Sequence, residues 1–260
     1  MNRFKNKIVL ITGAGGGIGK AVARSVAAEE GRVILSDIKL DALQQTAKEI
    51  QAEYGCRPDC VQMNIADRSD VARAIGQVRT IHGKIDCLAH CSGVLSNGPF
   101  EDVPEKDIHF VIDVNLKGTM FVMQEVGAQM LAQGGGKMAI VASKAGKIGT
   151  PTLAHYAASK FGVIGLVQTA AMEWGRRGVY VNCVCPGEVD TPMLRRSYEK
   201  ICQIENISME EQVRRGGDMS LVGRLTPPEN IAKAIKFLLL PESDEIMGQA
   251  INTDGGIVFH

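Results

Sequence analysis

Apolar positions along this chain alternate between short unbroken runs and longer stretches at helical spacing. The run from Lys7 to Thr12 is rich in β-branched residues and predicts a first strand. Ile18, Val22 and Val26 then recur every four residues and predict a helix from Ile18 to Glu30. The strand signature returns at Arg32 to Asp37, Cys60 to Asn64 and Ile85 to His90. Between these runs lie helical stretches, Asp41 to Tyr54 with Leu43, Ala47 and Ile50 on one face, and Asp67 to Ile81. Continuously apolar strands separated by helices imply a parallel sheet covered on both faces.

The second half repeats the pattern with longer helices. Glu105 to Leu131 reads as one helix, ended by Gly134, Gly135 and Gly136, because glycine readily takes the left-handed conformation that closes a helix. Met138 to Ala142 is the fifth strand, Tyr156 to Trp174 the next helix and Val179 to Val184 the sixth strand. Pro227, Pro228 and Glu229 open a helix that runs to about Leu240, and Gln249 to Asn252 is a seventh strand. Residues 192–222 are more polar and lack a single period, so a mobile flap is expected there. Without internal repeats or a linker, residues 1–260 are expected to form one α/β domain around a doubly wound parallel sheet of about seven strands.

Composition narrows the function classes. Lys+Arg and Asp+Glu both number 29, so the formal charge is zero, which argues against a broad nucleic-acid footprint. No run of roughly 18 apolar residues is present, so no membrane span is expected. The first apolar run ends in Thr12 and Gly13 and not in a small-residue cleavage site, which favours a strand over a signal peptide. Of seven cysteines, Cys87, Cys91, Cys183 and Cys185 fall in strand-like runs, where a thiol acts as a small hydrophobe. The spacings Cys56–Cys60 and Cys87–Cys91 form no ligand pattern with the histidines, so no metal is expected, and reduced thiols suit a cytoplasmic protein.

Two clusters carry chemistry. Thr12, Gly13, Gly15, Gly16, Gly17, Ile18 and Gly19 join the first strand to the first helix. Glycines there allow a tight turn and close approach of a pyrophosphate, which the helix N-terminus attracts. Asp37 ends the second strand, where a carboxylate can accept hydrogen bonds from ribose hydroxyls and repels a 2′-phosphate. No Arg or Lys stands at Gly15, Gly16 or Ile38 to offset that repulsion, so NAD is the expected cofactor. The second cluster is Tyr156 and Lys160, four apart and therefore on one helix face. A free phenol titrates near ~10, and a neighbouring ammonium favours its ionised form, so Tyr156 could exchange a proton with an alcohol or ketone.

Taken together, these motifs resemble the classical short-chain dehydrogenase/reductase family over nearly the whole chain. The matching residues are Thr12-Gly13 with Gly17-Ile18-Gly19, Asn115 in Val114-Asn115-Leu116-Lys117-Gly118, Ser143, Tyr156 with Lys160, Pro186-Gly187 with Thr191, and Asp254-Gly255-Gly256. The resemblance implies a Rossmann-like fold, with a cofactor-binding half to about residue 135 and a catalytic and substrate-binding half from about residue 136. It implies that Ser143 orients the substrate oxygen, Tyr156 is the general acid/base, Lys160 holds the nicotinamide ribose and lowers the tyrosine pKa, and Asn115 holds a relay water. Pro186, Gly187, Val189 and Thr191 would line the nicotinamide side, and the family suggests a homotetramer. Asn64, with the Ile65 backbone, would take the adenine contact that an Asp often makes. His90 and Ser92, ahead of Gly93, depart from the family's usual Asn and Ala.

The reaction implied is NAD-dependent interconversion of a secondary alcohol and a ketone, on a small polyol, a sugar or an anionic hydroxy compound. Lys144, His155, Glu188 and Arg195 are the candidate substrate contacts, and basic groups converging there would favour a sugar acid, phosphate or sulfonate. A pairing of Lys144 with an acid such as Glu188 is the competing reading. A ketoacyl-type or steroid reductase is the alternative within the family, and a non-catalytic dinucleotide sensor the alternative outside it.

Overall fold

The computed structural model describes residues 2–260. Seven strands, β1 (Ile8–Thr12), β2 (Arg32–Asp37), β3 (Asp59–Gln62), β4 (Cys87–His90), β5 (Gly136–Val141), β6 (Val179–Pro186) and β7 (Ala250–Thr253), form one sheet. Its order is β3-β2-β1-β4-β5-β6-β7, and every neighbouring pair is parallel. The chain leaves β3, crosses the sheet and returns at β4 beside β1, which creates a switch point between those two strands. In open α/β sheets a crevice forms there, outside the carboxyl ends of the strands. Register levels those ends, because Thr12 pairs with Ser36 on one side and His90 on the other, and His90 pairs in turn with Ile140.

The strands read as unbroken apolar runs because both faces are buried. Ile8, Leu10 and Ile34 point into one layer, packed under α3 (Arg68–His82), α5 (Thr119–Ala132) and α6 (Ala154–Trp174). Val9, Ile11 and Leu35 point into the other, under α1 (Gly17–Ala27), α2 (Leu40–Tyr54) and α9 (Pro228–Leu238). All seven cysteines are unpaired thiols. Among the described residues no helix is long and apolar enough to cross a membrane.

Two stretches differ from the sequence expectation. The single helix expected from Glu105 to Leu131 is α4 (Glu105–Ile112) and α5, joined by one wide π-type turn at Asp113–Gly118. That turn is recorded in side-chain hydrogen bonds of Asn115 and Thr119, to which hydrophobic period is blind. Residues 192–222 contain α7 (Pro192–Glu205) and α8 (Met209–Asp218), broken at Asn206, which takes the left-handed conformation at φ 52°. Two short helices with separately directed faces leave no common period. Their far end is anchored, with Leu221 N–H donating to the Gly255 carbonyl at 2.9 Å and Thr226 N–H to the Glu188 carbonyl at 2.8 Å.

Packing between α5 and α6 leaves no room at Gly127, where a Cβ would lie 2.6 Å from the Trp174 ring. Gly127→Val should therefore cost about 1–3 kcal/mol through overpacking. Its melting temperature should fall, and the emission of the chain's one tryptophan should shift. Unchanged stability and emission would show that the helices do not meet there.

Candidate active site

A cleft of about 930 Å³ opens over the carboxyl ends of β1, β4, β5 and β6. At one end the turn after β1 forms its floor. Gly13 sits at φ 65°, and a Cβ there would lie 2.8 Å from the backbone of Cys91 and Ser92, so glycine is required on both counts. A Cβ at Gly19 would strike the Gly13 carbonyl, which seats α1 directly against the turn. Gly16 meets nothing within 4 Å and faces open space. The α1 N-terminus carries no side-chain cap and no acidic residue in its first turn, so its N–H groups are free for an anion.

Asp37 stands above this turn at the end of β2. Its Oδ2 accepts from Gly15 N–H at 3.2 Å and its Oδ1 from Lys39 N–H at 3.0 Å. Asn64 and Ile65 line the same end of the cleft, and Asn64 Oδ1 accepts from Ala66 N–H at 3.1 Å. Ser92 and Gly93 line the middle, and Pro186, Gly187, Val189 and Thr191 the opposite wall. Thr191 also caps α7, accepting from Leu194 N–H at 3.3 Å. Thr12 lies behind the cleft, fully buried, and Gly19 lies behind it inside α1.

The reacting end gathers Ser143, Tyr156 and Lys160 along the cleft wall. Ser143 follows β5 and its hydroxyl accepts from Ala145 N–H at 3.1 Å. Lys160 Nζ donates to the Val141 carbonyl at 2.9 Å and lies 5.7 Å from the centre of the Tyr156 ring. Burial pulls Lys160 down to about 8. Burial pushes the Tyr156 phenol up to about 12, while a hydrogen bond with Ser143 acts the other way and Glu188 adds to the rise. Without ligand, Tyr156 is therefore a protonated phenol at neutral pH, held beside an ammonium.

Asn115 is wholly buried in the π-type turn. Its Oδ1 accepts from Val94 N–H at 2.8 Å, and its Nδ2 donates to the Val94 carbonyl at 2.9 Å and to Ser159 Oγ at 3.2 Å. Ser159 in turn donates to the Tyr156 carbonyl at 2.6 Å. The side chain thus clamps the segment after β4 to the helix that carries Tyr156 and Lys160.

The residues expected to contact substrate do not converge on the cleft. Lys144, His155, Glu188 and Arg195 all stand outside its lining. Lys144 Nζ lies 2.7 Å from Glu188 Oε1, and the Tyr198 hydroxyl donates to Glu188 Oε2 at 2.9 Å. Arg195 forms a forked pair with Asp190 at 2.7 and 2.9 Å. His155 Nε2 is 2.6 Å from Ser96 Oγ. The cleft lining instead includes Val94, Leu95, Met193, Leu194 and Arg196. Adjacency to Gly93 and Thr191 was the only signal in the sequence for these residues.

Residues 7–201 match the family model for short chain dehydrogenase. The chain belongs to the short-chain dehydrogenase family. Members are oxidoreductases that bind a nicotinamide dinucleotide. Over 256 residues the chain is 37% identical to the 3-oxoacyl-acyl-carrier-protein reductase FabG of Thermotoga maritima, covering 98% of this chain and 99% of that one. It is 33% identical to a sorbitol dehydrogenase of Cereibacter sphaeroides, covering 98% of each. Among solved structures, a variant actinorhodin polyketide ketoreductase with NADPH superposes at a TM-score of 0.92 with 31% identity, covering 96% of this chain and 97% of that one.

Where this short-chain dehydrogenase places His90, the structure shows a directional chain of hydrogen bonds. Thr12 Oγ1 accepts from Cys91 N–H at 3.2 Å and Ser92 N–H at 3.3 Å, so its own proton goes to His90 Nδ1 at 2.9 Å. The Nε2–H then donates to Thr119 Oγ1 at 3.0 Å, and Thr119 donates to the Asn115 carbonyl at 2.6 Å. These partners fix the neutral Nε2–H tautomer. Burial pushes His90 down to about 3. An unfolded histidine titrates near ~6.5, so this contribution to stability is complete above that pH and is lost as pH falls toward the folded value. Between pH 7 and 5 the wild type should lose about 2 kcal/mol more than His90→Asn in denaturant unfolding. Parallel losses would contradict a neutral, buried His90.

Proposed function

We propose that the chain, as a single domain, is an NAD-dependent oxidoreductase that interconverts a secondary alcohol and a ketone on a small, neutral, polar substrate such as a polyol or sugar. The observation that carries this reading is the meeting of Ser143, Tyr156 and Lys160 in the same cleft as the uncapped α1 N-terminus and Asp37. The residues fit the dinucleotide. Gly13 and Gly16 leave the cradle clear of side chains, the α1 N–H groups would hold the pyrophosphate, and Asp37 would take the adenosine ribose hydroxyls. Asn64 Oδ1 keeps a second lone pair for the adenine amino group. When bound, the dinucleotide accepts or supplies the hydride.

The chain's own residues handle the proton and the orientation. Ser143 would hydrogen-bond the substrate oxygen, and Tyr156 would donate a proton to a ketone or take one from an alcohol. Lys160 would hold the nicotinamide ribose and stabilise the phenolate, and Asn115 would hold the wall opposite. Pro186, Gly187, Val189 and Thr191 would flank the nicotinamide. The compensated charges of Lys144 and Arg195 favour a neutral over an anionic substrate. Sorbitol dehydrogenase and galactitol 2-dehydrogenase, 33% and 32% identical, are relatives in keeping with a polyol. The reductase relative at 37% identity and the ketoreductase solved with NADPH support the second reading, a ketoacyl-type reductase. We place the protein in the cytoplasm as a homotetramer, with exposed Phe110, Met120, Phe161 and Met172 as apolar surface for assembly.

Tyr156→Phe should abolish turnover while leaving NAD affinity within a few-fold of wild type. Full activity in that variant would end the acid/base assignment. Asp37 supplies the cofactor test. NAD should bind more tightly than NADP, and Asp37→Ser should reduce that preference at least about tenfold, read by fluorescence titration of the reduced cofactors. An unchanged ratio would remove Asp37 from cofactor selection.

A further inference from the structure

Residues 190–226 stand apart from both layers of the core. Among the described residues the apolar clusters stop at Val189 and resume at Ile231, so α7 and α8 supply nothing to either. This excursion is pinched at its base. Asp190 N–H donates to the Thr226 carbonyl at 2.9 Å, and Thr226 N–H to the Glu188 carbonyl at 2.8 Å. Polar contacts fasten α7 to that base, Arg195 to Asp190 and the Tyr198 hydroxyl to Glu188. An element held by hydrogen bonds, with no apolar face in the core, is among the first parts of a fold to open. The start of α7 is nevertheless part of the cleft wall, through Met193, Leu194 and Arg196. A Cβ at Gly17 would lie 3.3 Å from Thr191 Cγ2, so α7 begins directly beside the turn of the dinucleotide cradle.

The loop after β4, residues 94–98, supplies Val94 and Leu95 to the same cleft and is fixed at three points. Asn115 clamps both backbone groups of Val94, Ser96 Oγ lies 2.6 Å from His155 Nε2, and Gly98 N–H donates to the Thr152 carbonyl at 3.0 Å. One bond joins this fixed loop to α7. Ser197 Oγ donates to Asn97 Oδ1 at 3.1 Å. Among the described residues it is the one hydrogen bond that α7 makes beyond its own base and α8. Ser197 is 8% exposed, so water competes weakly for its hydroxyl. Two segments that both line the cleft are thus tied together by a single neutral bond, next to Arg196 on one side and two residues past Leu95 on the other.

We propose that α7 is a lid on the cleft and that the Ser197–Asn97 hydrogen bond is its latch, which parts when the dinucleotide enters or leaves and re-forms behind it. This rests on the reading of the cleft as a dinucleotide site. The latch touches neither the cradle nor Ser143, Tyr156 or Lys160, so it governs exchange and not the chemical step. Because the bond is present without ligand, its loss speeds entry as well as exit.

The test is stopped-flow fluorescence of NADH binding and release by the full-length protein, with hydrogen exchange of residues 192–205 measured without ligand. Ser197→Ala and Asn97→Ala should each raise both the association and the dissociation rate about fivefold, the worth of one net hydrogen bond. Exchange in residues 192–205 should quicken in both variants. The double variant Asn97→Ala/Ser197→Ala should be no faster than either single one, because the two side chains share one bond. Ser208→Ala removes the cap of α8, whose hydroxyl accepts from Glu211 N–H at 3.1 Å, and leaves the latch intact. Its NADH rates should stay near wild type, which separates the latch from general loosening of the excursion. Asn97 lies on the fixed loop, so Asn97→Ala carries the test should Ser197→Ala fold poorly. Unchanged rates, additive effects in the double variant, or faster release with no faster entry would overturn the latch. Failure of the wild type to bind NADH would instead overturn the dinucleotide reading, and the exchange of residues 192–205 would then decide the latch by itself.

Discussion

Thr12 and His90 face each other across β1 and β4, and the hydrogen bonds running through them hold the cleft together. Thr12 gathers the N–H groups of Cys91 and Ser92, His90 passes the chain to Thr119, and Thr119 binds the carbonyl of Asn115. Asn115 closes the ring by clamping both backbone groups of Val94. The segment from Cys91 to Val94 is thus tied at both ends to its neighbours. It is also the backbone against which Gly13 is pressed. Loss of one partner in this buried ring would leave polar groups without water, at a cost of about 1–3 kcal/mol each. The cofactor turn, the π-type turn and the start of α6 consequently share one frame.

Beside that frame two basic residues are held in ion pairs. Lys144 meets Glu188, and Arg195 meets Asp190, while Lys160 sits in the wall beside Tyr156 with a carbonyl as its partner. A lone ammonium in a low-dielectric wall acts strongly on a phenol beside it, and cancelled pairs act weakly. The arrangement also ties Lys144 and Arg195, basic residues close to the site in sequence, to acidic partners in space.

Much of the fold was legible in the sequence because its signals are local. Strand runs such as Lys7 to Thr12, the glycines between β1 and α1, and the four-residue spacing of Tyr156 and Lys160 each fall within one element and its neighbour. The π-type turn was not legible, because the bonds that mark it join Asn115 to Val94 and Thr119 to His90, far apart in the chain. The same holds for Lys144, whose partner Glu188 lies on a different strand end, although their pairing was the competing reading. Residues 192–222 lost their period because two helices share them, broken at the left-handed Asn206. His90 stood out only as a departure from a family pattern. Its function in the sheet became visible once the register placed it opposite Thr12.

The proposed function, an NAD-linked oxidoreductase of small neutral alcohols, is tested most directly by steady-state kinetics of wild-type protein on matched alcohols. Sorbitol and galactitol would be compared with their phosphorylated and carboxylated counterparts, each with NAD⁺ and with NADP⁺. The neutral members with NAD⁺ should show the highest kcat/KM. Faster turnover of an anionic member, or a preference for NADP⁺, would contradict it.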